Sequence, residues 1–331
     1  MPVRFAVLGF GNHAVRRLLP AFARSSNVKL TGMWRRDQEA AQKNCAEHQI
    51  EHCFATPQEL VNSPDVDVVF ITSPDAMHRD DTLMAIAAGK AVLCEKPVSM
   101  NAAEAQEMAD AAKAKGVLYG VAQNFRYNHS VDWIRDAIRA NKIGKVQLAQ
   151  AEYAYPGDRA PRKWIMDPTL AAGGPIADVG VHCIDALRYI LDEDVASVNT
   201  LAIKTRPEDR VEAIATLQME MAGGTLANVN CNARAPYRTL LSFTGGNGLI
   251  VAENGFSVDR PAEIVLRRSG EIIETAMLDN RDGYTRMLDA FSLAYRAGSP
   301  FAATGDDAVR NMAALDAAFR SWSSGAREKT A

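Results

Sequence analysis

Three clusters of residues have the types and spacing that chemistry would need. The first is Gly9-Phe10-Gly11-Asn12-His13-Ala14, a G-x-G-x-x-A pattern. Glycine at 9 permits a tight turn, glycine at 11 lets backbone approach a pyrophosphate, and alanine at 14 lets a helix pack closely on a strand. Such a turn places the pyrophosphate on a helix N-terminus. The pattern alone would equally fit an ordinary strand–helix turn. Here an apolar strand (residues 3–10) precedes it and a helical stretch (14–24) follows. The second cluster is Glu95-Lys96-Pro97 at the C-terminal end of another apolar run. A lysine there can hold a substrate hydroxyl beside a nicotinamide, and the proline after it points to a fixed peptide, cis or trans left open. Position alone fits a solvated lysine after an edge strand just as well. The third is Asp178, His182 and Asp185, spaced i, i+4 and i+7 on an expected helix over 175–191. Oxidising an alcohol by hydride transfer requires removal of the hydroxyl proton, and histidine is the side chain best poised for that near neutral pH. The plainer reading is a carboxylate near a helix N-terminus and a satisfied core histidine.

A further position selects the cofactor. A dinucleotide fold that uses NAD ends its second strand in Asp or Glu, which accepts from the ribose hydroxyls. This chain has Trp34-Arg35-Arg36-Asp37, with Arg35 placed 24 residues after Gly11. A guanidinium fork suits a 2′-phosphate. The expectation is therefore NADP, with NAD possible if Asp37 does the acidic work one turn later.

These clusters need elements to position them. Strand-like runs at 3–10, 28–34, 66–71, 91–94 and 117–122 alternate with helical stretches at 14–24, 38–47, 77–88 and 102–115. The runs are nearly continuous in Val, Ile, Leu and Phe, as strands buried on both faces are. They predict a doubly wound parallel sheet, a Rossmann domain over 1–124. From 125 to 331 the pattern becomes α+β. A helix (130–141), a strand (146–155) and the helix over 175–191 precede strands at 195–204, 211–220, 225–233, 240–243, 249–252 and 264–268. Gly223-Gly224 reads as a hairpin turn, and helices at 284–297 and 306–323 close the chain. The second domain is expected to be a mixed, largely antiparallel sheet, with the last six residues disordered.

Bulk properties narrow the function classes. A chain of 331 residues predicts about two domains. The net charge is −3, and the basic pairs Arg16-Arg17, Arg35-Arg36 and Arg267-Arg268 are scattered, which argues against nucleic acid. No apolar run approaches the ~20 residues of a membrane span, and the N-terminus shows no leader, so a cytoplasmic location is expected. Five scattered cysteines suit reduced thiols. Cys45, His48, His52 and Cys53 tempt as a zinc site, but a short strand over 50–54 would break the shared helical face. No metal is expected.

The combination of motifs resembles the Gfo/Idh/MocA family of glucose-fructose oxidoreductases, inositol dehydrogenases and 1,5-anhydrofructose reductases. The resemblance runs over nearly the whole chain. It takes in the glycine turn, Ile71-Thr72-Ser73-Pro74 with His78, Glu95-Lys96-Pro97, Asn124-Phe125-Arg126-Tyr127-Asn128, Lys163-Trp164, the Asp178–Asp185 segment and residues 321–325. It implies a hydride-transferring enzyme for sugars or polyols, whose mixed sheet mediates dimer or tetramer contacts. It also implies that Lys96, Asp178 and His182 line the substrate site. Thr72, Ser73, Pro74, His78, Glu95 and Asn124 would lie near the cofactor, with Arg162 and Trp164 toward its nicotinamide. Tyr153, Tyr155, Arg159 and Tyr284 are expected to line the substrate pocket. A trans-dihydrodiol or biliverdin-like substrate would keep the same chemistry, and a nucleotide-sensing regulator would keep only the fold. A pure sensor has no need of Lys96, Asp178 and His182 together.

Overall fold

The computed structural model describes residues 1–157 and 163–330, with the side chain of Lys163 outside that description. The chain divides into two compact units, Met1–Gln123 with Tyr284–Val309, and Asn124–Gly283 with Arg310–Ala331. Among the described residues no helix is long and apolar enough to cross a membrane.

The first unit is built on a six-stranded, all-parallel sheet. In chain order its elements are β1 (Val3–Leu8), a π-helical turn (Ala14–Leu18) running into α1 (Leu19–Arg24), β2 (Val28–Trp34), α2 (Gln38–His48), β3 (His52–Cys53), α3 (Pro57–Asn62), β4 (Val68–Ile71), α4 (Asp75–Ala87), β5 (Ala91–Cys94), α5 (Ala102–Lys115) and β6 (Tyr119–Val121). The strand order is β3-β2-β1-β4-β5-β6, so the winding reverses between β1 and β4. Ligands of doubly wound sheets bind at the carboxyl ends of the strands at such a reversal. The expected α-helix over 14–24 instead begins with a π turn. Pro20 has no N–H to offer the carbonyl one turn back, which frees the preceding turn to widen. Helix α2 stops at His48 because Gln49 turns left-handed, and this separates His48 from His52.

A later passage of the chain completes this unit. Phe291, on the helix Gly283–Ala297, packs edge-on against Phe5 of β1 and against Phe301. The main chain of 303–304 runs beside β6, where the Val121 N–H donates to the Ala303 carbonyl.

The second unit opens with α6 (His129–Arg139) and β7 (Val146–Pro156). A π turn (Ile176–Gly180) then leads into α7 (Val181–Leu191). The sheet continues with β8 (Val195–Ile203), β9 (Ile214–Met221), β10 (Leu226–Asn232), β11 (Arg234–Gly245), β12 (Leu249–Glu253), β13 (Ala262–Arg268), β14 (Glu271–Leu278) and β15 (Glu328–Lys329). Its nine strands run β14-β13-β12-β11-β7-β10-β9-β8-β15, antiparallel except for the β7–β10 pair. The predicted hairpin at Gly223-Gly224 forms, with Gly224 left-handed at φ 88°.

Two details differ from expectation. Strand β14 has no counterpart in the sequence pattern, because its sequence EIIETAML lies mostly exposed at a sheet edge and lacks a buried alternation. Residues 326–330, expected to be disordered, are ordered. Strand β15 pairs with β8, Arg327 bonds Ser197 and Glu220, and Thr330 bonds the carbonyl of Val195, so the tail covers the edge of β8.

Candidate active site

The glycine turn sits at the reversal of the first sheet. Gly9 has φ 93°, and a Cβ there would lie 2.5 Å from the Ser73 nitrogen and 2.7 Å from its Cα. Only glycine permits this backbone-to-backbone approach. The N–H groups of Gly9 and Phe10 both donate to the Trp34 carbonyl, and the Thr72 hydroxyl donates to the Gly9 carbonyl at 3.0 Å. A Cβ at Gly11 would meet nothing nearer than the Gly9 carbonyl, 3.8 Å away, so that side of the turn is open to a ligand. Phe10 and Ala14 are buried, whereas Asn12 is exposed.

At the end of β2 the Arg35 guanidinium donates to Asn44 Oδ1 at 2.9 Å, which fixes its direction, and Arg36 is exposed. Asp37 caps α2 by accepting from the Ala40 N–H. The acid next to the arginine pair is thus already engaged in holding the helix start.

The turn after β5 carries Glu95, half-buried Lys96 and a cis Lys96–Pro97 peptide. His13 Nε2 lies 3.0 Å from Glu95 Oε1, which joins the glycine turn to this turn. Burial raises the Glu95 pKa, but His13 and Lys96 outweigh it and hold the carboxyl below its usual range. Tyr284 meets the His13 ring edge-on at 5.7 Å. Pro74 precedes α4, and the Ser73 hydroxyl donates to Asp81. His78 is only 1% exposed, with Nδ1 2.8 Å from the Pro97 carbonyl and Nε2 2.8 Å from the Ser73 carbonyl.

In the second unit, the helical segment starting at Ile176 carries Asp178 and His182. The π turn holds Asp178, so the uniform α-helical spacing expected over 175–191 is interrupted between the two residues. Both are buried. The segment begins on a carboxylate that sequence reading missed. Glu212 accepts from the Gly174 N–H at 3.0 Å and from the Ile176 N–H at 2.7 Å, capping the orphan donors of the helix start. Burial pushes its pKa up against the pull of those N–H groups. Phe125 lies against His182 with ring centroids 4.3 Å apart and stacks on Tyr153 and Phe256. Tyr237 and Tyr155 meet Tyr153 edge-on. No local motif marks Glu212, Tyr237 or Phe256, because only the sheet's long-range pairing brings them here.

Asp185, the third member of the polar triplet, is accounted for by Arg126. Two hydrogen bonds of 2.5 and 2.8 Å join them, and both side chains are 4% exposed. Asn124 is buried, and its Nδ2 has no acceptor among the described residues. Trp164 is half-buried on a 3-10 turn (Lys163–Met166). Arg159 and Arg162 lie outside the described residues. Among the described residues no group of three His, Cys, Asp or Glu side chains is gathered to hold a metal ion.

Residues 3–123 match the family model of the oxidoreductase family with NAD-binding Rossmann fold, and residues 131–251 match that of the GFO/IDH/MocA C-terminal domain. The chain belongs to the GFO/IDH/MocA oxidoreductase family. It is an NAD(P)-dependent oxidoreductase. Over 312 residues it is 28% identical to the 1,5-anhydro-D-fructose reductase of Ensifer adhaerens, covering 94% of this chain and 93% of the relative. Over 300 residues it is 27% identical to the dTDP-3,4-didehydro-2,6-dideoxy-alpha-D-glucose 3-reductase of Saccharopolyspora spinosa, covering 90% and 89%. In fold it is similar to the aldose-aldose oxidoreductase of Caulobacter crescentus, with a TM-score of 0.91, 23% identity and coverage of 99% and 100%.

The buried Arg126–Asp185 pair yields a stability prediction. Asp185→Asn leaves a guanidinium charge in the interior without its carboxylate, which costs about 3–5 kcal/mol. Urea unfolding of the wild type and the variant measures it, and a loss below about 1 kcal/mol would show that the charge is compensated elsewhere.

Proposed function

We propose that this oxidoreductase uses NADP(H) in preference to NAD(H), and that it moves hydride between the nicotinamide and a carbonyl or hydroxyl carbon of a sugar, polyol or related small molecule. The observation that carries the cofactor half is the end of β2. Arg35 is oriented by Asn44, Arg36 is exposed beside it, and Asp37 is committed to capping α2. Two guanidinium groups suit a 2′-phosphate, and the carboxylate that an NAD ribose would seek is engaged. The open side of Gly11 fits a pyrophosphate held by the backbone of residues 9–13. Thr72, Ser73, Pro74, Glu95, Lys96, Asn124, Arg162 and Trp164 are proposed as further cofactor contacts, whereas His78, expected among them, is 1% exposed with both ring nitrogens on protein carbonyls and offers the cofactor no free atom.

When bound, the nicotinamide supplies or accepts the hydride. The chain's own task is to orient the substrate oxygen and move its proton. Lys96 would hydrogen-bond that oxygen, His182 would exchange the hydroxyl proton, and Asp178 would tune or orient them. Tyr153 and Tyr284 would contact the substrate, aromatic surfaces being suited to the apolar faces of sugar rings. The names of the two sequence relatives, both reductases of sugar derivatives, support this substrate class.

We further propose that residues 125–331 bind substrate and mediate assembly into a homodimer or homotetramer. Strand register puts Leu148, Leu201, Ile203, Leu226, Ile273 and Met277 on one face of the nine-stranded sheet, and all six are exposed. Large apolar side chains left exposed on an otherwise polar sheet face fit self-association.

Three outcomes are expected. In a panel of sugars, polyols and diketones followed at the reduced-nicotinamide absorbance band, Lys96→Met and His182→Ala each lower kcat by roughly 10²-fold. Normal turnover in both variants would overturn the catalytic assignment. Arg35→Asp raises the affinity for NAD and weakens that for NADP, and an unchanged NADP/NAD ratio would refute the cofactor reading. Light scattering is expected to show an oligomer that Leu201→Asp with Leu226→Asp dissociates. A monomeric wild type, or an oligomer unaffected by both substitutions, would refute the proposed interface.

A further inference from the structure

His78 is buried in the first unit, and both of its ring nitrogens face carbonyl oxygens. Nδ1 lies 2.8 Å from the Pro97 carbonyl and Nε2 2.8 Å from the Ser73 carbonyl. A carbonyl oxygen only accepts, so each contact requires an N–H on the ring. A neutral imidazole has one N–H. Its other nitrogen would present a lone pair to a carbonyl lone pair in a site that is 1% exposed, where water cannot relieve the repulsion. The doubly protonated ring satisfies both contacts.

We propose that His78 is a positioning residue, held as an imidazolium that donates to the Ser73 and Pro97 carbonyls and so fixes the turn carrying Lys96 against the turn carrying Thr72 and Ser73. The importance of the Lys96 turn rests on the function proposed above, whereas the charge state of the ring does not. The two carbonyls belong to the turns after β4 and β5, adjacent strands of the parallel sheet. The clamp therefore reaches across the two strand ends from the helix packed beside them.

The surroundings support a buried cation. Asp75 and Asp81 lie on the same helix, α4, and Asp81 also accepts from the Ser73 hydroxyl at 2.6 Å. From β5 the Cys94 sulfur faces the ring. Burial opposes the charge, but Cys94, Asp75 and the Pro97 carbonyl outweigh it, and the histidine pKa is pushed up to about 10. Burial pushes the Asp81 pKa up, with Ser73 and His78 pulling against it. Because the folded pKa lies above the ordinary value of about 6.5, the clamp contributes its full stability below that value. The contribution is lost as pH rises through the folded pKa.

The test is long-range proton–nitrogen NMR on the full chain labelled with ¹⁵N-histidine, recorded at pH 6.5 and 8.5. The His78 signal is identified by its loss in His78→Gln. If that variant does not fold, nuclear Overhauser contacts from the ring protons to Ser73 and Pro97 identify it instead. The expected result is two protonated ring nitrogens at both pH values. A neutral tautomer at pH 8.5 would overturn the proposal.

Glutamine can donate at only one end of the clamp, so folded His78→Gln is expected to lower kcat about tenfold on the panel sugar that the wild type turns over fastest. Its deficit in Tm should shrink between pH 7 and pH 10.5. Wild-type kcat, or a Tm deficit independent of pH, would overturn the positioning role. If the wild type turns over no sugar in the panel, the proposed function fails, while the NMR result still decides the clamp.

Discussion

The nucleotide end of the first unit depends on the contact between the backbone of Gly9 and that of Thr72–Ser73. The sheet reverses its winding between β1 and β4, so the turns leaving these two strands diverge in sequence but lie against each other in space. With a Cβ position 2.5 Å from the Ser73 nitrogen, any other residue at 9 would push the two turns apart. The same closeness lets Thr72 bond the Gly9 carbonyl, and the His13–Glu95 contact brings the turn after β5 into the network. The glycine turn, the Ser73 turn and the Lys96 turn are therefore set by one packing constraint plus a few polar contacts, with His78 behind two of them.

The second unit solves a related problem with different means. Its helical segment runs through an apolar interior, and remote side chains meet it at defined points. Glu212 caps the start, Arg126 neutralises Asp185, and Phe125 lies along the His182 ring. Burying a carboxylate and a guanidinium costs several kcal/mol per ion unless they meet with good geometry. The two short hydrogen bonds between Arg126 and Asp185 provide it. The outcome is a segment whose register is fixed by charge as well as by packing.

Much of this was legible in the sequence because it is local. The alternation of apolar runs and helical stretches marks the first sheet, period-two runs mark most of the second, and the glycine turn announces itself by spacing within six residues. Other features depend on partners remote in sequence. Glu212 meets Gly174 across 38 positions and Phe291 meets Phe5 across the length of the chain, so neither leaves a periodic trace. Asn44, which orients Arg35, sits on a helix face that reads only as polar surface. Strand β14 is too exposed to show a buried alternation, and β15 is ordered by the edge it covers rather than by its own propensity. The π turns at 14–18 and 176–180 are shifts of hydrogen-bond register that helical periodicity does not resolve.

As proposed, these turns serve hydride transfer between NADP(H) and a sugar-like carbonyl or alcohol. The most direct measurement supplies NADPH carrying deuterium at the transferable position, together with carbonyl sugars, and follows the label by mass spectrometry. One deuterium is expected on carbon in a reduced sugar for each NADPH oxidised. NADPH that binds tightly while no sugar in the panel gains deuterium would contradict it, and would point to a nucleotide sensor on the same fold.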